Sequence, residues 1–278
     1  MARFEYDLHV HTTASDGVLT PPEIISLAGL CGLRGIAITD HDTVEGLLDP
    51  QLFRLAAERN IQLISGIEIN TDFEDEEVHI LGYFINIEHT GLLNRLREIE
   101  QARLERSAKI IDRLHNLSVD IDPVRVRQVA GSGTVGRPHI AQVMIENGYA
   151  ATIKEAFEKY LGRGKPAYVP RYRLLPREAI NLIKLAGGVP ILAHPGLIRN
   201  RLVIDKIMQM GIKGLEVFYP EHTGSQISQL LNLAVQKQMI ITGGSDFHGT
   251  ENTRNQMGCA GLDALSFQQF IQRIQNSD

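Results

Sequence analysis

The 278 residues contain no tryptophan, two cysteines and 6% aromatic side chains, and each shortage excludes something. Cys31 and Cys259 stand far apart and outside any Cys-x-x-Cys pair, so neither a disulfide scaffold nor a thiolate-bound zinc is expected. No apolar run approaches the ~18 residues that a bilayer span needs. A basic excess is also missing: 28 Lys and Arg against 33 Asp and Glu leave a net charge of −5, which argues against wrapping long duplex nucleic acid or coating an anionic membrane. A local basic pocket stays open. Because Met1, Arg3 and Glu5 lead straight into a strand-like segment, a cytoplasmic protein with no membrane partner is expected.

What is present is an ordinary core-forming composition, 43% hydrophobic and 22% charged. Apolar, β-branched runs predict seven strands over 6–10, 35–39, 62–66, 78–84, 189–193, 214–218 and 239–242. Helical spacing over 21–30, 48–59, 176–186, 202–210 and 225–236 alternates with them. Wholly apolar strands such as Gly35-Ile36-Ala37-Ile38 suit parallel strands covered by helices, in a barrel or a doubly wound sheet. The alternation stops for roughly ninety residues after the fourth strand, too long for a structureless loop. Helices are expected there over 92–117, 138–147 and 153–160, the second after Gly131-Ser132-Gly133, so 88–175 reads as a helical insertion between 1–87 and 176–278.

Histidine carries the chemistry. In Asp7-Leu8-His9-Val10-His11 the two imidazoles stand at i and i+2, and on a strand both face one side. That pair alone is equally compatible with a structural histidine pair. The same residue types recur after other apolar runs: Asp40-His41-Asp42, Glu68, His79, His194-Pro195, Glu216 and Asp246-Phe247-His248. In a βα barrel the C-terminal strand ends converge on one mouth. So many imidazoles and carboxylates there would repel and desolvate one another without cations to neutralise them.

The motifs Asp-Leu-His-Val-His-Thr-x-x-Ser-Asp-Gly, Ile-Thr-Asp-His-Asp-Thr, Ala-His-Pro and Gly-Ser-Asp-Phe-His resemble, in order, those of the PHP (polymerase and histidinol phosphatase) family. The resemblance spans nearly the whole chain. It implies a distorted seven-stranded βα barrel, TIM-like, holding two to three divalent metal ions: His9, His11, Glu68 and Asp246 for the first, bridging Glu68 with His79 and His194 for the second, and Asp16, His41 and His248 for the third. Many relatives have histidine where this chain has Asp16, which makes the third site harder and more anionic. Such mixed ligands suit manganese, iron or zinc, with manganese favoured. Asp40 is expected to orient an imidazole, Asp42 to cap a helix, and Glu216 either to orient a ligand or to end its strand. His222 is the candidate general acid.

Arg103 and Arg106 share a helix face, and Gly136-Arg137-Pro138-His139 opens the next helix. Alone, the arginines read as an ordinary solvated face. The Arg-Pro-His-Ile-Ala run and Tyr-Leu-Gly-Arg-Gly-Lys-Pro-Ala-Tyr-Val-Pro resemble the insertion of a PHP branch of nucleoside 3′,5′-bisphosphate phosphatases and 5′-to-3′ exoribonucleases. That implies Arg103, Arg106, Arg137 and His139 as substrate-binding residues, and a small phosphorylated nucleotide or short single-stranded RNA as partner. The rivals are a histidinol phosphate phosphatase, which would not explain this insertion, an amidohydrolase, whose bridging lysine has no counterpart here, and a non-catalytic PHP domain, which should have lost ligands.

Overall fold

The structure is a computed structural model that describes residues 4–131, 135–170, 172, 174–249 and 255–275. Ser132 and Gly133 of the glycine-rich turn lie outside them. Two compact units emerge, Met1–Asn94 with Leu174–Asp278, and Arg95–Arg173.

In the first unit, seven described strands form one sheet in sequence order: β1 (Tyr6–Val10), β2 (Gly35–Ile38), β3 (Gln62–Phe73), β4 (Glu76–Tyr83), β5 (Val189–Leu192), β6 (Gly214–Phe218) and β7 (Ile240–Gly243). Between them run α1 (Pro21–Cys31) and α2 (Pro50–Glu58), then α7 (Pro176–Leu185), α8 (Arg201–Met208) and α9 (Gly224–Gln236). Proline in the first turn starts α1, α2 and α7, where its missing N–H costs nothing. Isolated bridges join Val10 to Phe247 and Tyr6 to Leu262 beyond the end of β7.

Two features depart from the expected parallel pattern. β3 runs to Phe73 and returns directly as β4, so β3 pairs antiparallel with β4, and β4 antiparallel with β5. The reversal takes two residues, Glu74 (φ 49°) and Asp75 (φ 65°), both left-handed as a tight hairpin with the right-handed strand twist requires. Glu68 and His79 therefore sit inside strands rather than at their ends. An unforeseen helix, α10 (Ala264–Gln275), also packs on the sheet, stacking Phe267 on Tyr6 at 3.7 Å between ring centroids. The buried core of this unit includes Leu8, Ala37, Ile64, Leu81, Ile191 and Phe270.

α3 (Thr90–Asn116) begins in the first unit and belongs from Arg95 onward to the second, which also contains α4 (Pro123–Ala130), α5 (Arg137–Glu146) and α6 (Ile153–Ala156). Its own core gathers Ile110, Leu114, Ile121, Ile140, Met144 and Leu161. These helices bury their aliphatic faces against one another.

Candidate metal centre

β1 is buried along its whole length, which places His9, and His11 just past its end, inside the protein with no solvent contact. Their period-2 spacing turns both rings the same way. His9 Nε2 lies 3.3 Å from Glu68 Oε2 and 3.4 Å from Asp246 Oδ1; His11 Nε2 lies 3.4 Å and 3.0 Å from the same two oxygens. The backbone can come this close because residue 244 is glycine: a Cβ there would fall 2.3 Å from His9 Cβ. Asp246, in the left-handed region at φ 52°, and His194, at φ 27°, hold strained backbone conformations beside these groups.

Glu68 is the hub. Oε2 also lies 3.0 Å from His41 Nδ1, while Oε1 lies 3.0 Å from His79 Nδ1 and 3.1 Å from His194 Nε2. A third set forms around Asp16, whose Oδ1 is 3.2 Å from His248 Nε2 and 3.7 Å from His11 Nδ1, and whose Oδ2 is 3.9 Å from His41 Nε2. Three groups can thus close on an ion: His9, His11, Glu68 and Asp246; His41, Glu68 and His79; and His11, Asp16, His41 and His248. His194 joins through its contact with Glu68 and falls outside those three. His11 and His41 each face two groups. A neutral imidazole has one lone pair, so each can serve one ion at a time.

Donor chemistry supports metal binding here. His9 Nε2, both nitrogens of His11, His41 Nδ1 and Glu68 Oε2 are buried with no hydrogen-bond partner, and leaving such atoms bare costs roughly 1 to 3 kcal/mol each. Divalent cations held by these groups would engage His9 Nε2, Glu68 Oε2 and one nitrogen each of His11 and His41. Without cations, protons must compensate. Burial alone pushes His9 and His11 down, but the carboxylates outweigh it: Glu216, Glu68 and Asp246 hold His9 well above its usual value. Asp246 and Glu68 bring His11 to about 10. His79 likewise reaches about 10, held by Glu68 and Glu77 against burial. Conversely, the imidazoles hold Glu68, Asp246 and Asp16 well below the carboxylate range although burial opposes this. Loading a metal would therefore release protons.

Tautomers are set by groups behind the rings. Fully buried Glu216 accepts from His9 Nδ1 at 3.0 Å and from the His194 backbone N–H at 2.8 Å, so His9 presents Nε2. Of the two roles open to Glu216, orienting a histidine is the one its contacts support. His248 Nδ1 donates to the Asp246 carbonyl at 2.9 Å, which turns Nε2 toward Asp16. Glu77, 3.2 Å from His79 Nε2, does the same for His79 Nδ1.

Three expectations are corrected. Asp40 contacts no imidazole in the hydrogen bonds seen; it accepts from Thr12 N (2.7 Å), Thr12 Oγ1 (2.8 Å) and Ser15 Oγ (2.6 Å). It is a positioning residue for the loop that carries Asp16. Asp42 accepts from Asn70 N at 3.0 Å and Asn70 Nδ2 at 2.9 Å, tying the His41 turn to β3, and the N-cap position of the short helix Glu45–Leu47 falls to Val44. His222 is buried with both nitrogens engaged, Nδ1 donating to Val217 O at 2.9 Å and Nε2 accepting from Gly196 N at 3.0 Å. It braces the turn after His194, with both ring nitrogens engaged by backbone groups rather than directed at the imidazole cluster.

Sequence reasoning missed Tyr219, whose buried hydroxyl donates to Asp246 Oδ2 at 3.0 Å and leaves Oδ1 toward His9 and His11. It also missed Asp7, which accepts from Ser245 N, Ser245 Oγ, Gly258 N and His9 N and so fixes the residue before Asp246. Burial pushes the Asp7 carboxyl up to about 6 despite these bonds. The Ser-Asp pair at 245–246 was the available signal, but nothing local pairs Ser245 with residue 7.

The basic candidates lie in the second unit. Arg106 Nε donates to Val169 O at 2.9 Å. Arg137 donates to Leu161 O at 3.2 Å, with its guanidinium 5.3 Å and 5.7 Å from the Phe157 and Tyr168 ring centroids. His139 Nδ1 accepts from Gly136 N at 3.1 Å and caps α5, and Arg103 lies half-buried in the middle of α3.

A family model for the PHP domain matches residues 7–223. The chain belongs to the PHP family. This PHP chain is 36% identical over 249 residues to a 5′-3′ exoribonuclease, Rnm, of Salmonella typhimurium, covering 87% of the chain and 85% of the relative. It is 30% identical to a 3′,5′-nucleoside bisphosphate phosphatase of Chromobacterium violaceum, covering 87% and 86%. Among solved structures, a candidate metal-dependent phosphoesterase from Bifidobacterium adolescentis superposes with a TM-score of 0.81 at 30% identity, covering 96% of each chain. Among the described residues no helix is long and apolar enough to cross a membrane.

Proposed function

We propose that this PHP chain is a metal-dependent phosphoester hydrolase acting on small phosphorylated nucleotides, nucleoside 3′,5′-bisphosphates and short 5′-phosphorylated RNA. The observation that carries the reading is the convergence of five imidazoles on the two oxygens of Glu68, with buried donor atoms that have no protein partner. In this reading His9, His11, Glu68 and Asp246 hold one divalent ion, Glu68, His79 and His194 a second, and Asp16, His41 and His248 a third. Ions in such a set supply Lewis acidity, acidifying water and neutralising phosphoryl oxygens. The chain's own residues do the rest: Glu216, Glu77 and the Asp246 carbonyl orient imidazoles, Tyr219 orients Asp246, and Asp40 and Asp7 hold the loops that carry Asp16 and Asp246. Manganese is the favoured metal, and the bridge from Val10 to Phe247 supports reading the sheet as the distorted barrel of the family.

The helical unit, 88–175 in this reading, supplies substrate recognition through Arg103, Arg106, Arg137 and His139. Arginine's planar fork suits a phosphate, each charge-assisted bond contributing about 1.5 to 3 kcal/mol. Metal analysis of purified protein, followed by hydrolysis of adenosine 3′,5′-bisphosphate, 5′-phosphorylated oligoribonucleotides, histidinol phosphate and p-nitrophenyl phosphate, tests the reading. Turnover of the nucleotides well above the other two supports it; preference for histidinol phosphate overturns it. Arg106→Ala or Arg137→Ala should cost ten- to a hundredfold in kcat/KM on the bisphosphate and much less on p-nitrophenyl phosphate.

A further inference from the structure

β1 does not run in even register with β2. Between Asp7 and Val10 it carries two residues, Leu8 and His9, where β2 carries only Ala37 between Ile36 and Ile38. A bulge of this kind re-aims a side chain. Leu8 shares a core with Leu81 and Tyr83, while His9 Nε2 lies 3.3 Å from Glu68 Oε2. Leu81 and Glu68 are register partners, so Leu8 and His9 both face their side of the sheet. Val10 packs on the other side, with Ile36 and Ile38. Strict alternation from Asp7, which pairs with Ile36, would turn His9 to that other side, away from Glu68. The extra residue is what brings His9 to the centre.

Side chains hold this bulge. His9 N donates to Asp7 Oδ1 at 3.3 Å, Val10 N donates to Thr39 Oγ1 at 3.2 Å, and Leu8 O accepts from the Tyr83 hydroxyl at 2.8 Å. The last bond comes from farthest away. β4 is the third strand from β1, about 14 Å off in a flat sheet, so the bond crosses the inside of a curled one. Tyr83 and Thr39 are both fully buried, and the Tyr83 ring stands edge-on to Phe270 of α10 at 5.6 Å between centroids. Packing thus fixes the ring and leaves its hydroxyl to Leu8. β4 also carries His79, four residues earlier on the same face. We propose that Tyr83 and Thr39 are positioning residues for the metal centre: they fix the bulge that presents His9, and Tyr83 ties the strand of the first site to that of the second. The proposal rests on the metal reading above and adds residues that act through backbone rather than through an imidazole.

Tyr83→Phe deletes the hydroxyl and keeps the ring. Competition of the full-length metal-free protein against a chromophoric chelator for manganese or zinc gives affinity. EPR of the manganese-loaded protein reports coupling between neighbouring ions, and thermal unfolding shows that the variant is folded. Changes directly behind ligating histidines lower affinity about ten- to a hundredfold, so one step further back, through backbone, roughly three- to tenfold is expected. A fall of threefold or more, with altered manganese coupling, supports the proposal. A smaller change in affinity, or an unaltered spectrum, overturns it even if Tm falls, since the hydroxyl then serves the fold alone. Should Tyr83→Phe not fold, Thr39→Val, which removes the brace at Val10 N, is judged by the same criterion. A parent protein that binds no ion sinks the metal reading itself, whereas a parent that binds and a folded variant that matches it sink only the positioning role.

Discussion

Replacing Glu216 by glutamine keeps shape and volume but removes one of two acceptors, and both are in use. Its carboxylate takes the His9 Nδ1 proton at 3.0 Å and the His194 N–H at 2.8 Å. If the new carbonyl oxygen serves His194, the amide NH2 faces His9 Nδ1. The imidazole must then move its proton to Nε2, which points at Glu68 and Asp246 and would no longer offer a lone pair. If the amide is turned the other way, its NH2 meets the His194 N–H, two donors in a buried place, at a cost of about 1 to 3 kcal/mol. Either arrangement weakens a metal ligand. Changes behind ligating histidines generally lower metal affinity or activity by about ten- to a hundredfold, or roughly 1.4 to 2.7 kcal/mol. Competition of the metal-free protein against a chromophoric chelator for manganese or zinc measures this directly, with thermal unfolding to show that the variant is folded. A folded Glu216→Gln protein whose affinity stays within twofold of the parent would refute the reasoning.

Glu68→Gln should lower bound metal by more than one equivalent and nearly abolish turnover, since five imidazoles share that carboxylate; full metal content with near-parental rate speaks against a bridging role. Asp16→Asn should remove one ion while the others stay, because its contacts lie with His248, His11 and His41; loss of all metal, or of none, argues against a separate third site. In chelator, the raised pKa values of His11 and His79 stabilise the fold fully below pH ~6.5, and this is lost as pH rises toward about 10. The Tm of metal-free protein should therefore fall across that window, while metal-loaded protein, which needs those imidazoles neutral, should gain on the metal-free form. A flat or rising Tm in chelator contradicts the assignment.

Much of the centre was readable from one-dimensional pattern because period-2 geometry and strand ends are local properties. His9 and His11 share a face by spacing alone, and His41, His194 and Asp246 each follow an apolar strand. The seven strands were equally legible in their hydrophobic runs. The antiparallel return of β3 into β4 was not, since Glu74-Asp75 lacks the glycine or asparagine that usually marks such a turn, and Glu68 and His79 were therefore placed at strand ends. The partners of Asp40, Asp42 and His222 were misjudged for a different reason. Each is a polar residue beside the centre whose hydrogen bonds go to residues brought near only by the fold. Likewise, spacing put Arg137 at a helix start but carried no sign of the two aromatic rings beside it.

The hairpin of β3 and β4 bears on how the centre assembles. His79 pairs with Asn70, so Glu68 and His79 stand on one face as diagonal neighbours across a turn of two residues. A hairpin of this kind closes in about 1 to 10 μs, whereas His9 and His11 meet Asp246 only when the two distant parts of the first unit come together. Glu68 and His79 are thus brought together by a local turn, whereas His9, His11 and Asp246 need contacts between distant parts of the chain. If metal engages Glu68 and His79 before β1 arrives, refolding should be faster with metal than in chelator, and equal refolding rates would count against that order.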